Sequence, residues 1–197
     1  MSTEERPYHH GNLRAELIRV GLELANEGGT RAVGLREAAR RIGVSPSAAY
    51  RHFSGHADLL LAVRNEIIHI IEVEFTEALL TVDENDVVGR LRALADIYFS
   101  FAVDHTMQFD VFASVFPEHE DWLGHSGEPI QILIDVMKKV KPESDDPAGE
   151  SVAVWAPLHG ISILCTLGAL RAIPLEDKWK AQESVVVLIL RGLKLID

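Results

Sequence analysis

Between residues 36 and 56 the sequence concentrates side chains that donate hydrogen bonds. Arg36, Arg40, Arg41 and Arg51 bring fixed positive forks, Ser45, Ser47 and Tyr50 bring hydroxyls, and His52 and His56 bring imidazoles. Such a set suits phosphate oxygens and the acceptor-rich edges of bases. Other candidate chemistry is less organised. His119, Glu120, Asp121 and His125 in "PEHEDWLGHSG" offer metal-ligand atoms without a spacing that fixes a coordination, so a metal site and a solvated loop both stand, and no metal or cofactor is assigned. His159 and Cys165 offer a base and a nucleophile, but no third, orienting group can be assembled. A helical enzyme is therefore a remote alternative, and the chain is expected not to be an enzyme. Cys165, the single cysteine, lies in an apolar run and reads as an inert core thiol; it excludes an internal disulfide and fits a reducing compartment.

The elements that must position the donors are helical. Leu13, Leu17, Val20, Leu24 and Ala25 recur at three and four, which predicts a helix over 10–27 stopped by Gly28 and Gly29. Leu35, Ala38, Ala39 and Ile42 predict a second, over 35–42, ended at Gly43, where a left-handed residue is easily placed. Ser45 is an N-cap and Pro46 a first helical residue, so a third helix is predicted over 46–52. Two short helices around a glycine turn have the spacing of a helix-turn-helix, although a packed helical hairpin shares that spacing. Further helices are predicted over 55–80, 87–103, 107–116, 128–140, 148–171 and 177–194, with "KPESDDPAGE" as a mobile polar linker. No β-type alternation is present, and the fold class is all-α with about nine helices.

The net charge of −11 is unevenly spread. Residues 1–60 hold eight arginines and seven acids, while residues 61–197 hold eleven basic residues against 23 acids. Acidity thus belongs to the later part, and two modules with different tasks are implied. The uncharged run Ser151 to Leu170 has the length of a membrane span, but Pro157, His159 and its hydroxyl residues and the lack of an N-terminal basic flank favour a helix buried in protein. The first residues have no apolar core of a secretory signal, and the expected location is the cytoplasm.

"YHHGNLRAELI", "LREAARRIGVS" and "AAYRHFSGHADLL" resemble, over residues 8–62, the N-terminal domain of TetR-type transcriptional repressors. "VWAPLHGISILC" resembles, more loosely, the tryptophan, histidine, glycine signature of one class of their ligand-binding domains. The resemblance implies a DNA-binding domain over 1–56, a fourth helix over 55–80 that links the modules, and a ligand-binding and dimerisation domain over 57–197. It implies a homodimeric repressor released from a palindromic double-stranded DNA operator by a small molecule; a ligand-independent regulator or an activator is the alternative. Carried over by position, Arg36 would read a base, with guanine suited to its fork. Ser45, Pro46, Ser47 and Ala48 would face the groove, Tyr50 and His52 would meet phosphates, and Arg51 a phosphate or a base. Phe53 would lock the module's core. His9 and His10 lie in an arm that approaches the backbone or stays unordered.

For the second module, Phe99, Phe109, Phe112 and Trp155 with His105 and His159 are candidate ligand contacts, with plain core packing as the alternative. Pro157 is expected to bend its helix around a cavity. The last two predicted helices, about 148–171 and 177–194, are apolar nearly all round, and Gly160, Gly168 and Ala169 permit close approach, so a four-helix interface between two copies is expected. Two recognition helices about 34 Å apart would then read both halves of a palindrome.

Family members often carry lysine where this chain has His56, at the start of the fourth helix. Helix N–H groups and dipole still favour a phosphate there, but the added charge now depends on pH, since free histidine titrates near about 6.5. Operator affinity is expected to rise as pH falls from about 8 to about 6, and His56→Lys to flatten that rise. Binding titrations across this range check it, and an unchanged profile in the variant removes His56 from the contact set.

Overall fold

The structure, a computed structural model, describes residues 13–114 and 128–197. All regular structure among them is helical: α1 Leu13–Gly28, a 3-10 turn Gly29–Arg31, α2 Leu35–Ile42, α3 Pro46–Ala49, α4 His56–Leu80, α5 Val87–Asp104, α6 Thr106–Ser114, α7 Glu128–Val140, α8 Pro147–Thr166 and α9 Leu175–Gly192. His9, His10 and the segment holding His119, Glu120, Asp121 and His125 lie outside the described residues.

α1, α2 and α3 enclose a small core of Leu17, Val20, Leu24, Val33, Leu35, Ala38, Ala39, Ala49 and Phe53, closed by Leu59 and Val63 of α4. Each fully buried leucine-sized side chain contributes about 1.5–3 kcal/mol. Gly21 lets α1 approach α4 closely: a Cβ there would stand 2.5 Å from the Val63 side chain. Further along α4, Ile67, Ile71 and Phe75 enter the same continuous core as Leu91, Leu94 and Tyr98 of α5, Val136 and Met137 of α7, and Val154 and Leu158 of α8. α9 packs against α8 and α5. Its Gln182 is buried and donates to Asp96 at 3.0 Å, and Arg92 pairs with Glu183 at 2.8 Å.

Local chemistry accounts for the ends that differ from expectation. α3 stops at Ala49 rather than 52 because Arg51 and His52 donate three residues back, to Ala48 and Ala49, which tightens the last turn. α8 stops at Thr166 rather than 171: the Gly168 N–H reaches the Ile163 carbonyl and the Leu170 N–H the Leu164 carbonyl, a reverse wrap in which a Cβ on Gly168 would crowd Leu164. Pro157 is accommodated inside the continuous α8. The expected mobile linker is a short capped turn, with Asp146 accepting from the Gly149 N–H at 2.8 Å and Lys141 pairing with Glu150 at 2.9 Å. No helix among the described residues is long and apolar enough to cross a membrane.

One contact ties α6 to the turn between α1 and α2. Asp110 accepts from both the backbone N–H and the hydroxyl of Thr30, at 2.9 and 2.8 Å. The carboxylate lies against Gly29, whose φ of 63° is left-handed and whose missing Cβ leaves its place to Asp110. Gly29→Ala therefore adds left-handed strain of about 1–2 kcal/mol and expels the carboxylate, while Asp110→Ala removes charge-assisted hydrogen bonds of about 1.5–3 kcal/mol. Each is expected to lower unfolding stability by about 2 kcal/mol in urea titration, and the double variant by clearly less than the sum. Additive losses would mean that the two residues do not share this contact.

Candidate nucleic-acid interface

The turn between α2 and α3 is built by Gly43 and Ser45. Gly43 has φ 84°, and its N–H and that of Val44 return to the Ala39 carbonyl, which ends α2 in a left-handed cap. Ser45 then accepts from the Ala48 N–H at 3.3 Å and starts α3, with Pro46 at the first position. Ala49 and Phe53 are buried beneath, and the Arg14 guanidinium lies 5.0 Å from the centre of the Phe53 ring. The packing fixes α3 against α2 and turns its other face to solvent.

The residues singled out from sequence lie on α2, on and just past α3, and at the start of α4. Arg36, Ser45, Pro46, Ser47, Tyr50, Arg51, His52 and His56 are exposed, whereas Ala48 is half-buried and packs partly on the core. Tyr50, a large aromatic ring, is left 45 % exposed. The Ser45 oxygen is spent on its cap and lies 3.0 Å from the Ser47 hydroxyl, so Ser47 is the better placed of the two to meet an outside partner.

The arginines divide into two sets. Arg40 pairs with Glu37 at 2.7 Å, and Arg41 with Glu27 at 2.6 Å and Glu37 at 3.0 Å. Hydrogen bonds from these two guanidinium groups hold the Glu37 carboxyl down at about 2. Arg36 and Arg51 make no ion pair with any described residue. Two positive groups thus stand uncommitted on the exposed face, and two others are half neutralised beside it. At the start of α4, Asp58 accepts from the Ser54 N–H at 2.8 Å, which shapes the bend before His56 and places a carboxylate in the same turn.

The aromatic residues expected to bind a ligand fall into two places. Phe109 and Phe112 of α6 and Trp155 and His159 of α8 converge, with the His159 ring centre 4.7 Å from Trp155, 5.9 Å from Phe109 and 6.5 Å from Phe112. Phe99 lies elsewhere: one residue beyond Tyr98, it is turned about 100° around α5 and meets Trp179 of α9 edge-on at 5.0 Å. His105 caps the exposed end of α5, its ring 5.2 Å from Phe101. Two residues not proposed from sequence complete the cluster. Tyr98 bonds to His159 Nδ1 at 2.6 Å, and buried Arg64 lies 5.8 Å from the Phe112 ring centre and donates to the Phe112 carbonyl at 3.4 Å. A phenol on the apolar face of α5 and a lone arginine in the apolar stretch of α4 were the available signals. Burial holds the His159 imidazole below its ordinary pKa and pushes the Tyr98 phenol up, the latter partly offset by a hydrogen bond from Trp155.

Comparison with known proteins agrees with this geometry. Residues 17–63 match a family model of bacterial regulatory proteins, tetR family, and residues 91–186 match one for the tetracyclin repressor-like C-terminal domain. The chain is 34% identical over 95 residues to the HTH-type transcriptional activator FasR of Mycolicibacterium smegmatis, a match spanning 48% of this chain and 42% of that protein. Similar folds are seen in a protein of unknown function from Rhodococcus sp. RHA1, with TM-score 0.76, 24% identity and coverage of 95% of this chain and 98% of that one. Another is a transcriptional regulator of the TetR/AcrR family from Thermobifida fusca YX-ER1, with TM-score 0.61, 22% identity and coverage of 92% and 98%. With both modules matched in order along the sequence, the chain belongs to the TetR family of bacterial regulatory proteins and carries a tetracyclin repressor-like C-terminal domain.

Proposed function

We propose that the protein is a cytoplasmic, homodimeric DNA-binding transcriptional regulator, a repressor released from a palindromic operator by a small molecule. The observation that carries the DNA-binding part is an exposed set of donors, Arg36 on α2, Ser47 on α3 and Tyr50, Arg51 and His52 just past it, around a rigid capped turn. Ala48 has the smaller part, a methyl at the edge of the groove. An activator is the second reading, favoured by the activator named among the relatives. An enzyme using His159 and Cys165 is disfavoured by the chemistry of the thiol, which is fully buried and pushed up by that burial.

Dimerisation is supported by what α8 and α9 leave uncovered. Ala153, Ala156, Pro157 and Leu164 are exposed along one side of α8, and a Cβ on Gly160 between them would meet nothing within 4 Å. On α9, Leu188 is 68 % exposed. Apolar positions at three- and four-residue spacing on adjacent helices suit a four-helix interface with a second copy.

The effector part rests on the cluster of Phe109, Phe112, Trp155 and His159. α6 carries Phe109 and Phe112 on one side of Asp110's contact with Thr30, so a molecule that displaces those rings also moves the residue bonded to the DNA-binding module. Such a molecule shifts the equilibrium only by its difference in affinity between the two arrangements.

Operator fragments selected from sheared genomic DNA supply the test. Arg36→Ala is expected to cost about 1–3 kcal/mol in operator affinity and relax base preference at one position in each half-site. Glu37→Gln releases Arg40 and is expected to raise affinity for all sequences and steepen the logarithmic salt dependence by about one. Fluorescence anisotropy between low and moderate salt reads both, and intact variants that bind as the native chain does would sink the assignment. Leu188→Glu is expected to give monomers in sedimentation and to lose binding to the full palindrome; a persistent dimer would place the interface elsewhere.

A further inference from the structure

We infer that the buried Tyr98 phenol fixes His159 as its Nε2–H tautomer, and that this N–H recognises a carbonyl-type acceptor on an otherwise apolar, ring-bearing effector. The inference rests on the reading of the aromatic cluster as the effector site and adds the chemical class of the molecule.

The tautomer follows from counting protons. Tyr98 is buried, and its hydroxyl is hydrogen-bonded to His159 Nδ1 at 2.6 Å. If His159 carried its proton on Nδ1, that N–H would donate to the phenol oxygen and the phenol's own proton would face no acceptor among the described residues, at a buried site where an unmade hydrogen bond costs about 1–3 kcal/mol. With Nδ1 bare, the phenol proton has its place, donated to Nδ1. The remaining ring proton must then sit on Nε2. Burial favours the same state, since it opposes both the imidazolium and the phenolate.

Nε2–H has no hydrogen-bond partner among the described residues. The ring that bears it is half-buried, as are Trp155 and Phe112 beside it, so the donor is reachable and framed by aromatic faces. A molecule entering there meets ring surfaces at most of its contacts and one neutral donor. A carbonyl oxygen satisfies that donor, whereas a hydrocarbon would cover it and leave it unpaired.

The test uses the full-length protein with 15N-labelled histidine, His159 being assigned by its loss in His159→Phe. The nitrogen shifts are expected to report the Nε2–H form, and Tyr98→Phe to let the two tautomers mix. Acetophenone and ethylbenzene are the probes, near in shape and differing in the acceptor. Acetophenone is expected to shift the His159 Nε2–H resonance and to bind about fivefold tighter than ethylbenzene, the preference vanishing in His159→Phe. A dominant Nδ1–H tautomer, or equal binding of the two probes at the cluster, overturns the inference and leaves the effector site standing. If neither probe perturbs His159 or its neighbours, the effector-site reading falls and the inference with it.

Discussion

Helix α4 must be buried by different partners at its two ends, and the arrangement of the molecule follows from that requirement. It has 25 residues, about 37 Å of helix, too long for one small module to cover. Leu59 and Val63 close the core of α1 to α3, while further along Ile67, Ile71 and Phe75 enter the core of the second module, where α4 packs against α5, α6 and α7. The two modules therefore share one continuous core through this helix. Arg64 stands where the two burials meet, its head bonded to the carbonyl of Phe112 in α6. A rotation of the DNA-binding face relative to the second module thus has to disturb either α4 packing or the α6 contacts. Both are substantial, since α6 packs along α1 and the 3-10 turn as well as along α4.

Charge is handled by a comparable division. The acidity of the chain lies mostly beyond residue 60, yet the helix-turn-helix is close to neutral, and half its nearby arginines are tied to Glu27 and Glu37. On the proposed reading, Arg36 and Arg51 are the cations this surface leaves to a polyanion, and fewer phosphate contacts mean weaker non-specific binding. Glu37 holds Arg40 and Arg41 on α2, away from the Tyr50 side of α3. These exposed pairs add little stability; their effect is on which cations DNA can find.

Much of this was legible in the sequence. The core of α1 and α2 follows from apolar spacing, and the turn from Gly43, Ser45 and Pro46, because those residues act through local backbone chemistry. The exposed donor face was legible for the same reason: residues on the far side of an amphipathic helix are placed by the buried side. What escaped were contacts between residues distant in sequence. Nothing local tells that Asp110 reaches Thr30, 80 positions away, or that Tyr98 rather than Phe99 faces His159. The choice between Tyr98 and Phe99 is a matter of about 100° of helix rotation, which only the packing of α5 against α8 and α9 decides. His105 was misplaced because it follows the last turn of α5, where the helical period ceases to apply.

The magnitudes on α6 bear on how a signal could cross the molecule. Allosteric coupling is commonly about 1–3 kcal/mol, and two hydrogen bonds to one carboxylate at a half-buried site are worth about the same. The Asp110 contact is thus strong enough to define one arrangement of the DNA-binding module and weak enough for a modest ligand to oppose. α6 also packs against α1 and the 3-10 turn, with Phe109 and Val111 fully buried, so moving it disturbs apolar contacts worth about 1.5–3 kcal/mol for each fully buried side chain as well. Gly29 serves the same contact: by giving up a side chain, it lets a single carboxylate seat against the backbone, so a directional polar bond sets how α6 sits on the turn within apolar packing that could not choose its register alone.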